Sequence, residues 1–437
     1  MRFDRRGFLG IAGAAGAGAV LAGQGASAKS ADDEGAGGAE RAKAGGEPIV
    51  KRYRTLGKTG LKVSDVAFGG GSIEGGPPVV EKAIQLGVNF FDTAPDYGKS
   101  ESIIGKAIKD RKLREVVTIQ SKICRPVSYP GHVRPGTAAA KIVELVEGSL
   151  RRLQTDYIDI LLVHALGEPG MGDVRRAKDE ATHKAYETLK RDGKIRFTGA
   201  SSHGPNEMAS NLEYVVESGV YDVIMPAFNF MGGKKQEALL AKAAEKGVGV
   251  VAMKCLAGQR KTLLPKLHDN WAKFQQAALR YVWANEAIAG AVVTIKNIDQ
   301  LKKYVANSGT NLKHADLKLL KAVELANSAV TCRVGCGDCL SSCPNEVKIA
   351  DIQRYEMYFK SYGDEKRAMT LYAGLPLAQS AATCLGCSGE PCRGACTHGI
   401  DIRGAMLRSH EALDLPRVAQ GEESHDHGFG DPYVTHG

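Results

Sequence analysis

FDTAPDYG, Phe91 to Gly98, places a carboxylate, Asp92, five residues before a phenol, Tyr97. The apolar residues Val88, Phe90 and Phe91 lead into it, so the stretch reads as a buried strand that breaks at Pro95 into a loop. Two further strand-like runs supply partners: VVTIQSKI reaches Lys122, and YIDILLVH ends at His164. An Asp, a Tyr, a Lys and a His therefore each stand at or just past the C-terminal end of an expected strand. In a parallel barrel that end is the catalytic face.

Outward from this stretch, strand and helix patterns alternate. Strands are expected near residues 65–69, 88–93, 116–122, 156–163, 195–200, 221–228, 248–254 and 290–295, each followed by a helical pattern such as AAAKIVELVEGSLRRLQ. Eight such units make an α/β fold of the (β/α)8 TIM barrel type. An open doubly wound sheet alternates in the same way, but no G-x-G-x-x-G opens a helix after the first strand. Ahead of the first strand, RYRTLGKTGLKV, Arg52 to Val63, contains two short β-prone runs around Lys58, Thr59 and Gly60.

From about Tyr53 to Ala306 the sequence resembles the aldo/keto reductases, carried by FDTAPDYG, QSKI and LLVH in the family order. The resemblance implies that the Arg52–Val63 hairpin plugs the barrel bottom and that Asp92, Tyr97, Lys122 and His164 form the catalytic tetrad. Tyr97 would be the acid or base, Lys122 paired to Asp92 would lower its pKa, and His164 would orient a substrate carbonyl. The chemistry is reasonable in its own right: a phenol titrates near ~10 unperturbed, a nearby ammonium favours its ionised form, and an imidazole can share its proton. The implied substrate is a small-molecule carbonyl or alcohol, with NADP or NAD as hydride carrier.

At the implied nucleotide site the chain departs from the family. Ser201 in GASSHG matches the serine that helps hold the nicotinamide carboxamide, but Ser202 stands where an Asn is usual. Met225 in DVIMPAFN replaces a common Gln, and Met253 in VVAMKCL replaces a ring-stacking Tyr. A thioether can touch a ring but cannot copy an amide's hydrogen bonds. Near the eighth strand, TIKNIDQLKKY offers Lys296 and Gln300, with Tyr304 in place of the family's Asn. Cys124 and Cys255 read as small buried hydrophobes.

Eight of the ten cysteines fall between Cys332 and Cys396. Cys332, Cys336, Cys339 and Cys343, followed by Pro344, are spaced C-x3-C-x2-C-x3-C-P, one residue longer in the first gap than the bacterial ferredoxin run. Cys384, Cys387, Cys392 and Cys396 are spaced C-x2-C-x4-C-x3-C, without the closing proline. The two sets resemble a ferredoxin-like module with two [4Fe-4S] clusters, as found behind the barrel in one branch of the family. Zinc on four thiolates and disulfides in an exported chain are the alternatives. Spacing leaves open which cluster the fourth cysteine of each set serves; ferredoxin-like swapping would pair Cys343 with the second set. IADIQRYEMYFKSYGDEKRAMTLYAGL between the sets, and Arg403 to Ala412 after them, are expected to be helical.

At the N-terminus Arg5 and Arg6 precede a Gly/Ala-rich apolar run that ends in Ala26, Ser27 and Ala28, the pattern of a twin-arginine export signal. It implies passage through the twin-arginine machinery to the periplasm; an uncleaved signal acting as a membrane anchor is the alternative. The expected organisation is signal 1–28, flexible linker 29–48, barrel 49–312, iron-sulfur domain 313–415 and disordered tail 416–437. His425, His427 and His436 in that tail could bind a metal, but a polar tail is the plainer reading. Net charge is +9, of which Arg2, Arg5, Arg6 and Asp4 contribute +2, and lysines spread along most helices without a dense run. This argues against nucleic-acid binding.

The resemblance and the N-terminal pattern together imply an exported oxidoreductase, its clusters either carrying electrons, with a redox partner protein, or stapling the fold. No flavin fingerprint couples one-electron clusters to a two-electron hydride. The competing expectation is a relay or docking protein whose barrel has lost nucleotide affinity, suggested by Met225, Met253 and Tyr304.

Overall fold

The computed structural model describes residues 46–109, 111–167, 174–202, 207–258, 271–327, 329–333 and 335–414. The expected signal segment, nearly all of the linker and the tail from residue 416 lie outside the described residues. Among the described residues no helix is long and apolar enough to cross a membrane.

Two short strands, β1 (Tyr53–Thr55) and β2 (Lys62–Ser64), pair antiparallel as the expected hairpin. Its turn seats Leu56, fully buried, among Phe90, Ile160, Val223 and Val251 at the barrel bottom. Gly57 adopts φ 50°, and a Cβ there would collide with the backbone of Gly247 and Gly249, so only glycine lets the plug sit this deep.

The barrel strands are β3 (Val66–Gly69), β4 (Phe90–Asp92), β5 (Thr118–Ile123), β6 (Ile158–Val163), β7 (Ile195–Ser202), β8 (Val223–Pro226), β9 (Gly249–Ala252) and β10 (Ile288–Thr294). They close in the order β10-β3-β4-β5-β6-β7-β8-β9 with parallel pairing throughout. All eight expected strands are present. The second, sixth and seventh are shorter than the apolar runs suggested: Val88 is buried in the loop before β4, and Ala227 and Met253 extend β8 and β9 only through a single parallel bridge. Strands β5 and β6 are buried along their whole length, as inner strands covered by side chains inside and helices outside must be. The helix Ala139–Leu153 shows the complementary pattern: Ile142, Val146, Leu150 and Leu153 recur at helical spacing and face the barrel.

The helix His314–Asn327, expected in the second domain, packs on the barrel instead. Leu320 and Val323 share a cluster with Phe274, Ala277 and Ala278 of the helix Trp271–Trp283, and Arg280 pairs with Asp316 at 3.1 Å. Beyond it, helices Ile349–Met357, Glu365–Ala373 and Ile402–Leu413 enclose a separate core of Ile352, Tyr355, Tyr358, Tyr372 and Met406. From Glu47 onward the chain nonetheless forms one compact unit, so this helical part is an extension of the barrel rather than a tethered domain.

Candidate active site and the cysteine pockets

Strand register assembles the mouth of the barrel. Asp92 lies beside Gln120 across the β4–β5 ladder, and Lys122 follows on the same face two residues later. Lys122 Nζ donates to Asp92 Oδ1 at 2.7 Å and to the Thr93 carbonyl at 2.7 Å, while Gln120 Nε2 donates to the same Asp92 oxygen at 2.7 Å. Both charges are buried, and the pair is closed by good hydrogen bonds, the condition under which a buried ion pair is tolerated. Lys122 Nζ lies 4.7 Å from the centre of the Tyr97 ring. The Tyr97 hydroxyl stands 3.4 Å from His164 Nε2. The four residues singled out in the sequence therefore meet at one place.

The electrostatics differ from expectation in one respect. The Tyr97 phenol is pushed well above its ordinary value, first by burial and then by Asp92 and Asp96, with Arg367 opposing. The Lys122 ammonium is engaged by Asp92 and the Thr93 carbonyl rather than by the phenol oxygen. At neutral pH the Tyr97 phenol therefore keeps its proton.

Several residues at this mouth carry no signal of their own in the sequence. Asp96 accepts a hydrogen bond from the Gly131 N–H at 3.0 Å and lies 3.6 Å from His164 Nδ1. Cys124 Sγ is 3.0 Å from the same Nδ1, so it is a partner of His164 and not only a buried hydrophobe. The rings of Tyr129 and His132 pack edge-on against His164. From the C-terminal extension, the Arg367 guanidinium covers the Tyr129 ring at 3.8 Å and the Tyr358 ring at 4.4 Å. Lys254, in a left-handed conformation (φ 56°) just past β9, reaches Tyr358 and Tyr362, and burial lowers its pKa. Left-handed non-glycine residues concentrate where a site constrains the backbone, and Ala165, next to His164, is another.

The residues expected to hold a nucleotide divide into two groups. Ser201 Oγ accepts from the Ala165 N–H at 2.9 Å and Ser202 Oγ donates to the Leu166 carbonyl at 2.7 Å, so both tie β7 to the loop after His164. Met225 is buried, and its sulfur accepts from Gln120 Nε2 at 3.2 Å. Met253 is half-buried beside Lys254. At the opposite edge, Lys296 is exposed and paired with Glu74 at 2.7 Å. It stands before the helix Ile298–Val305, whose Gln300 accepts from the Lys296 N–H at 2.9 Å and reaches the Tyr304 hydroxyl at 3.3 Å.

The cysteines gather in two pockets whose membership crosses between the sequence sets. One, of about 450 Å³ to its mouth, is lined by Cys332, Cys336, Cys339 and Cys396. The other, of about 410 Å³, is lined by Cys343, Cys384, Cys387 and Cys392. Ile349, Ile402 and Met406 form the wall common to both. All ten cysteines are free thiols, so no disulfide joins the described residues. Burial, then the neighbouring thiols, pushes Cys332 up to about 12, and burial followed by Cys343 raises Cys384 to about 11. Four such thiols would ionise together only around cations.

The closed parallel barrel brings a Lys–Asp pair, a Tyr and a His to its C-terminal mouth, and the comparisons identify the family it belongs to. The profile of the aldo/keto reductase family matches residues 77–266. L-galactose dehydrogenase of Arabidopsis thaliana is 30% identical over 289 residues, 58% of this chain and 86% of that protein. An uncharacterized oxidoreductase of Bacillus subtilis, YqkF, is 28% identical over 309 residues, 62% of this chain and 96% of its own length. Among solved structures, an aldo-keto reductase of Bacillus halodurans in its holo form superposes with a TM-score of 0.50 at 27% identity, covering 62% of this chain and 96% of that one. The chain belongs to the aldo/keto reductase family and is an oxidoreductase enzyme.

Proposed function

We propose that this enzyme interconverts a carbonyl and an alcohol at the barrel mouth, with Tyr97 as proton donor to the carbonyl oxygen and His164 orienting that oxygen. The observation that carries the reading is the 3.4 Å approach of the Tyr97 hydroxyl to His164 Nε2 beside the closed Lys122–Asp92 pair. The raised phenol keeps Tyr97 in the protonated form a donor needs while making it a weaker acid, and Lys122 and Asp92 fix the floor on which Tyr97 rests. NAD or NADP, the family's usual carrier, would supply the hydride. Lys296, beside the N-terminus of the Ile298–Val305 helix, suits its phosphates, and Ser201 offers a hydroxyl to its carboxamide. Met225 and Met253 leave the ring end with fewer polar partners than the family's Gln and Tyr provide.

The two thiol pockets suit two [4Fe-4S] clusters with interleaved ligands: Cys332, Cys336, Cys339 and Cys396 for one, Cys343, Cys384, Cys387 and Cys392 for the other. Each offers four convergent sulfurs against an apolar wall, and the crossing of Cys343 and Cys396 is the ferredoxin habit of lending the last cysteine to the other cluster. Such clusters would add one-electron chemistry next to the mouth, since Cys332 borders a pocket also lined by Lys254, Ala257, Met357 and Tyr362. The paired arginines Arg5 and Arg6 support export of the folded, cluster-loaded chain to the periplasm.

Tyr97→Phe tests the reading. Turnover of a carbonyl substrate is expected to fall by about 10²-fold or more with the fold intact, the scale of a lost general acid. Unchanged turnover would remove Tyr97 from the chemistry.

A further inference from the structure

We propose that Asp96, Cys124, His132 and His164 form a binding site for one divalent transition-metal ion, with zinc as the fitting occupant, set into the barrel mouth behind the Tyr97–His164 contact. It is separate from the two cysteine pockets and does not depend on the reductase reading. The four residues come from four parts of the chain: the loop after β4, the end of β5, the loop that returns to bridge Cys124, and the end of β6. All are buried, with exposures of 4%, 1%, 2% and 2%. Each offers one donor atom, and these atoms lie within 4.8 Å of one another. The nearest pair, Cys124 Sγ and His164 Nδ1, is 3.0 Å apart, and His164 Nδ1 and Asp96 Oδ2 are 3.6 Å apart.

Four-coordinate zinc with bonds of ~2.0–2.3 Å places its ligand atoms about 3.3–3.6 Å from one another. The observed set already brackets that spacing, so small side-chain rotations close it. The donor chemistry also fits. One thiolate, one carboxylate and two neutral imidazoles carry a total charge that balances a divalent cation, and nitrogen with sulfur donors suits zinc rather than calcium or magnesium.

The plain alternative is a buried hydrogen-bond network in which Asp96 steadies the Gly131 turn and faces His164. That account leaves Asp96 Oδ1 unexplained: it is buried and has no hydrogen-bond partner among the described residues. Carboxylate oxygens are rarely left so, because water lost from a charged acceptor must be replaced. A cation held by the Asp96 carboxylate replaces it, since charge on either oxygen is then balanced by the same ion. Binding through Nδ1 would also fix the tautomer of His164, leaving the proton on Nε2, the atom that faces Tyr97. Asp96, Cys124 and His132 would then be positioning residues acting through His164.

The test uses the full-length, cluster-loaded protein with zinc itself as probe. Metal analysis is expected to find one zinc per chain in addition to iron, and zinc-edge X-ray absorption to show one sulfur and three nitrogen or oxygen neighbours. His132→Ala should weaken zinc binding by more than about 100-fold, beyond the 10–100-fold typical of a lost outer-shell partner, with iron content unchanged. Cys124→Ser should remove the sulfur neighbour. If His132→Ala does not fold, His132→Gln, closer in size, carries the same comparison, and the wild-type spectrum requires no variant. Absence of zinc, a four-sulfur shell that places it in the cysteine pockets, or equal zinc in wild type and the His132 variant would each overturn the proposal.

Discussion

Replacing Lys122 by methionine should cost the barrel more than any other single change at its mouth. The side chain is buried, its ammonium is 2.7 Å from Asp92 Oδ1, and it also donates to the Thr93 carbonyl. Lys122→Met keeps the length of the stem but strands the Asp92 charge with only Gln120 Nε2 as donor. Removing one partner of a buried pair typically costs about 3–5 kcal/mol, most of it the isolated charge rather than the lost contact. Asp92→Asn added to Lys122→Met removes that charge, so the double variant should be more stable than the single one, recovering about 2–3 kcal/mol as a coupling term. Denaturant titration followed by tryptophan fluorescence reads the barrel selectively: Trp271 and Trp283 are the chain's two tryptophans, and both lie in the barrel helix Trp271–Trp283. Turnover should stay low in both variants, because neither restores the Lys122–Asp92 hydrogen bond that supports Tyr97. A loss below about 1 kcal/mol in Lys122→Met, or a double variant less stable than the single, would refute the idea that the pair is an isolated, mutually dependent buried unit.

The crossed cysteine pockets predict which substitutions behave alike. Cys343→Ser should abolish the same cluster as Cys384→Ser, and Cys396→Ser the same one as Cys332→Ser, each leaving about four of about eight irons by metal analysis and one of two reduced-cluster signals by electron paramagnetic resonance; pairing by sequence set would invert the grouping. In alkali, the tyrosines Tyr186 and Tyr221 have values raised by burial above the ordinary 10. Their folded values exceed the unfolded one, so the stability they contribute is fully present below about pH 10 and is lost as pH rises toward the folded values, by about 1.4 kcal/mol per pH unit for each group. Denaturant titrations between pH 8 and 11 should show a fall that begins near 10, and a Tyr186→Phe variant should show a shallower one.

Strand by strand, the barrel was legible because its strands are short β-prone runs that end in a polar residue or turn and alternate with helical patterns, and because a register that buries both faces leaves little freedom in pairing. Ile158–Val163 and Thr118–Ile123 are the clearest cases, each buried over its full length. Helix His314–Asn327 was assigned to the wrong neighbour for an equally physical reason. Its sequence shows an apolar stripe, but a stripe does not name its partner, and the change in cysteine content begins only after it. The partner is the Trp271–Trp283 helix, found through Leu320, Val323 and the Arg280–Asp316 pair.

That Asp92, Lys122 and His164 meet at one mouth was legible because each sits at or just past the end of a strand, where the fold converts chain position into location, and Tyr97 follows in the loop after β4. The rest of the mouth has no such rule. His132 reaches His164 because the segment after β5 doubles back to bridge Cys124, and nothing in RPVSYPGHV signals that return. Arg367 reaches the Tyr129 ring from a helix more than two hundred residues away, through packing of the C-terminal extension against the mouth. The extension thus does more than carry thiols. With Arg367 over Tyr129, Lys254 against Tyr358 and Tyr362, and Cys332 bordering the same pocket as Lys254, it packs against the mouth of the barrel. Removing the extension would strip Lys254 of Tyr358 and Tyr362 and Tyr129 of Arg367, so under the proposed function a truncated barrel is expected to change its substrate preference along with losing the cysteine pockets.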